Sequence, residues 1–363
     1  QIAGQDFTFL LPVRYKTTDP VKGELYQPLV VIPPVTAGEL ASYYLKNKKD
    51  NQVDVLLIAH GNATAEGQTG STTSLTSQDT LSFALDYHLA RGSELSFRFP
   101  VSSLQNRYYR VELAGHQTAR ILRTIGYEHI PTIHYFRQAV TRIQQLDLKT
   151  YGHRIGYIVG AGDKVPAALD QMGFEVTLLG DKELSRGNLQ QYDAIIAGVR
   201  AYNTNEWLNA HFEQLMAYIR DGGNLIVQYN TSSQIGPVRA KIGPYPFDIT
   251  RTRVTDETAA VGFLQPEHPV LNFPNRITRE DFTGWVQERS IYHASHWDAH
   301  FQTILTMHDP GEAPDDGSLI IAPYGRGFFT YTGLVFYREL PAGVPGAYRL
   351  MANLIALNRK KAF

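Results

Sequence analysis

The apolar positions of this chain change their period partway along it. Through residue 147 they come in short runs with partial period-two alternation, at 7–11, 29–32, 53–59, 81–89 and 95–99. Leu81, Phe83, Leu85 and Tyr87 alternate with Ser82, Ala84 and Asp86, as the two faces of a half-buried strand require. Breakers separate the runs: Asp19-Pro20, Pro33-Pro34, Gly61-Asn62 and the polar stretch Gly70-Ser71-Thr72-Thr73-Ser74, which reads as a flexible loop. This spacing predicts an immunoglobulin- or fibronectin-like β-sandwich over residues 1–147.

From residue 148 to 363 the apolar runs become continuous and alternate with helical spacing, the mark of βαβ units around a parallel sheet buried on both faces. The clearest case is residues 192–231. Ala194 to Ala197 make a short buried strand. Trp207, Leu208, Phe212, Leu215, Met216 and Ile219 then recur at helical spacing, Asp221-Gly222-Gly223 stops the helix, and Leu225-Ile226-Val227 begins the next strand. Upstream, RIGYIV predicts a strand, GAGD a glycine-rich loop and Pro166 the first turn of a short helix, with another strand at 175–179. Downstream, Tyr324-Gly325-Arg326-Gly327 predicts a hairpin leading into a buried strand, and residues 347–357 a final helix. The expected fold is a flavodoxin-like, three-layer α/β domain over 148–363, with the boundary between Asp147 and Arg154.

In an open parallel sheet, ligands bind outside the carboxyl ends of the strands. That rule places Gly162 and Asp163, then Arg200, Tyr202 and Asn203, then Gln228 and Asn230 on one functional rim. Trp285 to Arg289 are expected to close over it from an inserted segment, and Trp285, Gln287, Glu288, Arg289, Tyr292 and Trp297 form a candidate binding surface together with Arg200, Tyr202 and Asn203. Aromatic faces cover the C–H patches of a sugar while Arg, Glu, Asn and Gln supply directed hydrogen bonds. The same residues also suit a purely structural part: Tyr202 and the tryptophans can pack, and Asp163, Asn203 or Thr204 can cap helices.

Other motifs are weaker. GAGD lacks the third glycine of a dinucleotide fingerprint, and no acidic ribose ligand follows it. His293, His296 and His300 have metal-like spacing, but no carboxylate ligand is fixed by the pattern. Ser232 and Ser233 lack a G-x-S-x-G turn. The charged stretch at residues 46–50 reads as a solvated turn, and Arg338-Glu339 as a clamp on its own loop.

Composition narrows the classes further. A chain of 363 residues, 43% hydrophobic, can fill two cores, and a net charge of -1 offers no field for nucleic acid. No apolar run approaches the roughly 20 residues that cross a bilayer. Gln1 reads as a processed or cut start. With no cysteine at all, disulfides, thiolate metal sites and a thiol nucleophile are excluded.

Longer motifs carry a family resemblance over nearly the whole chain. Asp19-Pro20-Val21-Lys22-Gly23-Glu24 with Pro33-Pro34-Val35, then RIGYIVGAGDKVPAALDQMGF, YDAIIAGVRAYNT, GGNLIVQYNT, EHPVLNFPNRIT, DFTGWVQERSIY and ELPAGVPGAYRLMANLIAL, resemble the region after the deacetylase domain in long bacterial PIG-L (LmbE-like) proteins. There the region comprises a β-sandwich and a glutamine-amidotransferase-like domain. The second half is also similar to the ThuA-like branch of that superfamily, from Gly222-Gly223 through His268-Pro269 to Tyr324-Gly325-Arg326-Gly327. The PIG-L family removes N-acetyl groups from glucosamine-containing substrates with a zinc site announced by a His-Pro-Asp-Asp-like motif. That motif is absent here; Asp309-Pro310 and Pro314-Asp315-Asp316 echo it in composition only. The amidotransferase cysteine is replaced by Gln228-Tyr229-Asn230, which cannot supply a thiolate.

The resemblance therefore implies an accessory region without its own cofactor, covalently linked to a zinc deacetylase domain, with a glycan or amino sugar as ligand. It also implies a periplasmic or secreted location. The rival expectations are an independent ThuA-like hydrolase and a structural oligomerisation module.

Overall fold

The computed structural model of the chain describes residues 13–38, 43–45, 52–74, 80–100, 107–113, 117–144, 146–235 and 238–359. The chain forms two compact units, residues 1–42 with 50–143, and residues 43–49 with 144–363.

The first unit is a β-sandwich. In one sheet the neighbours are Ile133–Gln138, Arg120–Ile125, Val35–Ala37, Gln52–Ala59 and Glu94–Pro100. In the other, Val140–Gln144, Arg107–Leu113, Ala63–Ser74 and Thr80–Leu89 follow one another. Ala37, Val55, Leu57 and Ala59 from the first sheet and Ala65, Leu89 and Val111 from the second are buried. The apolar alternation thus does its expected work.

Two local expectations fail for opposite reasons. Gly70 to Ser74 is not a loop: it is the end of a strand paired on both sides, Thr72 facing Leu81 and Val111. Its backbone groups are satisfied by two neighbours, and the Ser71 hydroxyl donates to Glu112 at 2.9 Å, so pairing overrides a turn-like composition. Residues 29–32, conversely, are not a strand. Pro28, Pro33 and Pro34 bracket them and remove ladder donors, leaving Val31 at 84% exposure. The stretches 7–11 and 46–50 lie outside the described residues.

The second unit carries the α/β sheet. Its strands are β1 (Arg154–Ile158), β2 (Glu175–Leu179), β3 (Ala194–Ala197), β4 (Asn224–Gln228), β5 (Gln302–Thr303), β6 (Leu319–Tyr324) and β7 (Gly327–Thr332), in the spatial order β2-β1-β3-β4-β7-β6-β5. The five from β2 to β7 are parallel; β6 runs against them, and β5, antiparallel to β6, returns to their direction. The sheet is therefore mixed rather than purely parallel, because a turn as short as Gly325-Arg326 can only join antiparallel neighbours. Gly325, at φ 59°, makes that turn.

Helices cover both faces. Helix α1 (Val165–Gln171) begins with Pro in its first turn, and α2 (Phe212–Arg220) buries Leu215, Met216 and Ile219. Gly222, at φ 110°, ends α2 where an L side chain would be strained. Helix α3 (Pro345–Ile355) is buried on nearly every side, including Tyr348, Leu350, Met351 and Leu354. Among the described residues no helix is long and apolar enough to cross a membrane.

The core of the second unit reaches upstream of its first strand. Leu146 and Leu148 are 6% and 7% exposed and belong to the cluster with Ile155 and Tyr157. Burying one leucine is worth about 2 kcal/mol. A fragment of residues 144–363 is accordingly expected to melt cooperatively, and one of residues 150–363 to melt lower. Calorimetry on both checks this; equal melting temperatures would mean that the two leucines do not belong to this core.

Candidate functional site

The carboxyl ends of β1, β3 and β4 meet at one rim, where the spatial order reverses direction around β1. Gly162, at φ 93°, turns the chain after β1 and leaves open space where a side chain would stand. Asp163 is bonded within the fold. Its carboxylate accepts from the Tyr157 hydroxyl at 2.7 and 2.8 Å and from Val165 N at 3.0 Å, so it ties the start of α1 to β1. Gln228 donates to the same Tyr157 oxygen at 3.1 Å and is wholly buried. The rim rests on this polar chain.

Next to it lies a brace of carboxamides. Asn230 is buried, accepting from Tyr202 N at 3.0 Å and donating to Gln228 O at 3.1 Å. Asn203 accepts from Thr231 N at 2.8 Å and donates to Ser232 O at 3.1 Å. Tyr202 is a core residue at 1% exposure, and burial raises its phenol pKa. Four residues expected to meet a ligand thus hold the two loops in register instead: Tyr202, Asn203, Gln228 and Asn230.

Arg200 behaves differently. It sits at φ 59°, ψ 22°, its N–H donating to Tyr229 O at 2.8 Å. Its side chain is exposed and has no hydrogen-bond or ion-pair partner among the described residues.

Tyr229 follows β4 and stacks on Tyr292 at 5.4 Å with 17° between the rings, and it lies against Tyr337 at 5.5 Å. A buried hydroxyl fixes this arrangement: Tyr331 donates to Tyr292 O at 2.8 Å and accepts from Asn230 N at 3.5 Å, tying both loops together. Tyr292 itself is left-handed, at φ 54°. Arg338 donates to Tyr337 Oη at 3.0 Å and to Glu288 at 3.1 Å. Burial raises the Tyr229 pKa, a hydrogen bond with Tyr337 opposes this, and the charges of Arg200 and Arg338 also favour its phenolate. The result is a preorganised shelf of three tyrosines flanked by two guanidinium groups and one carboxylate.

The rest of the inserted segment has other duties. Trp285 is 3% exposed, stacks on Phe282 at 5.4 Å and donates to Asp281 O at 2.9 Å. Arg289, 4% exposed, donates to Ala259 O at 2.9 and 3.1 Å and to Phe282 O. Together they wall a groove of about 540 Å³ with residues 257–262. Gln287 is left-handed at φ 71° and exposed. Of the binding-surface residues named from this segment of the sequence, Glu288 and Tyr292 join the shelf.

Arg338 and Glu339 are not one clamp. Arg338 pairs with Glu288, whereas Glu339 is wholly buried, both its oxygens accepting from Val286 N at 3.1 Å. Burial pushes the Glu339 carboxyl up to about 8, against the pull of that N–H and of Arg289 and Arg338.

The three histidines go to separate partners. His296 meets Asp248 at 3.1 Å; His300 meets Asp298 at 2.6 Å and stacks on Tyr245. His293 is fully buried between Asp315, at Nδ1, and the Ser290 hydroxyl, 2.7 Å from Nε2. Burial alone would raise the Asp315 pKa, but His293 and Gly317 N outweigh it and hold the carboxyl low. The Ser–His–Asp order has the connectivity of a hydrolytic triad, yet Ser290 is 0% exposed and donates to Met307 Sδ at 3.4 Å. A carbonyl carbon cannot reach that oxygen, so the chain of bonds secures a core. Its spacing, serine three residues before histidine, was visible in the sequence; its carboxylate came from a distant turn. Among the described residues no group of three or more His, Asp or Glu side chains could hold a metal ion.

No protein-family model and no curated protein matches the chain. Among solved structures it is similar to the β-galactosidase from Rahnella sp. R3, with 14% identity and a TM-score of 0.35 over 55% of this chain and 30% of that one. It is similar also to the β-galactosidase from Bacillus circulans sp. alkalophilus, with 11% identity and a TM-score of 0.37 over 57% and 31%. The chain thus spans less than a third of the length of either protein.

Proposed function

We propose that this chain is a non-catalytic accessory region that binds carbohydrate on the tyrosine shelf, within a protein of the PIG-L deacetylase type. The observation that carries the proposal is the Tyr229–Tyr292–Tyr337 shelf at the sheet rim, locked by Tyr331 and edged by Arg200. Ring faces suit the C–H side of a pyranose, and fixing them beforehand lowers the entropy lost on binding. Support for a non-catalytic part comes from the elbow after β4, where Gln228 and Asn230 are buried, and from the sealed Ser290. Support for the PIG-L setting is the motif resemblance alone.

Calorimetric titration with neutral and N-acetylated oligosaccharides tests the reading. Binding is expected in the micromolar to millimolar range, weakened about tenfold in Tyr292→Ala with little change in melting temperature. Incubation with chitooligosaccharides is expected to release no acetate. Acetate release, or binding untouched in Tyr292→Ala, would sink the proposal.

A further inference from the structure

Arg200 is the one residue of the rim whose backbone and side chain both depart from what the fold needs. A left-handed φ of 59° suits Gly or Asn, and an arginine there is strained by its Cβ. Among the described residues nothing rewards the arginine for this: the N–H bond to Tyr229 O needs no arginine side chain, and the side chain points into solvent without an ion pair. Strain of this kind at a rim points to an external partner.

The charges around it define that partner. Of the shelf's ionisable groups, Glu288 is already paired with Arg338, so the Arg200 guanidinium is left as an uncompensated cation. Its five donors form a planar fork suited to a carboxylate or a phosphate. The Arg200 N–H bonds Tyr229 O at 2.8 Å, which sets this uncompensated cation beside the Tyr229–Tyr292 stack. A free ammonium group there would meet the uncompensated Arg200 cation. The electrostatics therefore oppose a de-acetylated amino sugar, which the sequence alone left open.

We infer that the shelf selects an acidic sugar, its ring on Tyr229 and Tyr292 and its anionic group on Arg200. This rests on the carbohydrate reading above and narrows it to a ligand charge. Arg200 in this assignment is the anion receptor, and its unfavourable backbone is retained for the direction it gives the side chain.

The test titrates the intact chain with glucuronate, glucose 6-phosphate, glucose, glucosamine and inorganic phosphate, for wild type, Arg200→Gly and Tyr292→Ala. Glucuronate or glucose 6-phosphate is expected to bind about tenfold tighter than glucose, and glucosamine weakest of all. The pair of acidic sugars tells carboxylate from phosphate as the preferred anion. In Arg200→Gly the preference for acidic sugars should vanish while the melting temperature holds or rises, since glycine relieves the strain. Glucose binding as tightly as the acids, or a preference that survives Arg200→Gly, would overturn the inference and leave the carbohydrate reading standing if Tyr292→Ala still weakens binding. Inorganic phosphate binding as well as the acidic sugars would also overturn it, as an ion site without a sugar. If no sugar binds, both readings fall.

Discussion

Glu339→Gln is expected to make this protein more stable in alkali and to leave it unchanged in acid. In the unfolded chain this carboxyl titrates near its ordinary 4.5, but in the folded protein, wholly buried, it holds its proton up to about 8. Between those values the folded state binds the proton that the unfolded state has released. Stability from this group is therefore fully present below 4.5 and is lost as pH rises, the loss being complete above 8. At full development the loss is on the order of 5 kcal/mol. Glutamine keeps the shape and can still accept from Val286 N, but has no proton to lose. Thermal melts of both proteins from acid to alkali should give curves that coincide below 4.5, part as pH rises above it and reach full separation above about 8. Parallel curves would show that Glu339 is ionised throughout, its charge compensated by Arg289 and Arg338. Glu339 shares its helical turn, Phe336–Glu339, with Tyr337 and Arg338, so the loss falls beneath the shelf.

Gly346→Ala sets two effects of opposite sign against each other. Gly346 lies in the first turn of α3, where alanine would favour the helix by up to about 1 kcal/mol. Here, however, a Cβ would stand 1.7 Å from Asp281 O and 2.3 Å from its carbon, both backbone atoms. The carbonyl cannot retreat freely, since it accepts from Trp285 Nε1 at 2.9 Å, while the Asp281 side chain accepts from Arg349 Nε at 2.6 Å and Thr278 N at 2.7 Å. Overpacking against fixed backbone costs about 3 kcal/mol or more, so sterics win. The expected outcome is a melting temperature lower by about 8 °C, measured by calorimetry. A variant as stable as wild type would show that α3 can slide away from the 279–282 turn.

What the sequence legibly held was whatever depends on neighbours along the chain. Period-two runs gave the sandwich, and the continuous apolar segments with their glycine stops gave β1 to β4, α1 and α2, because burial and turn geometry act within a few residues. The rim was placed for the same reason: parallel strands deliver their loops to one end. Even the exposed cation was found, since Arg200 follows a buried strand directly.

Tertiary structure decided which rim residues are free. Gln228, Asn230, Tyr202 and Asp163 look like ligands in sequence, but each is also bonded to a group from another strand or loop, and no local pattern reveals a partner tens of residues away. The shelf itself joins positions 229, 292 and 337, brought together by the β4–β7 pairing and by Tyr331. His293 shows the same limit: spacing suggested a metal, while the fold buried it against Asp315 and Ser290. A polar side chain's role is set by whether water or a distant donor reaches it, and that is a property of packing, not of order along the chain.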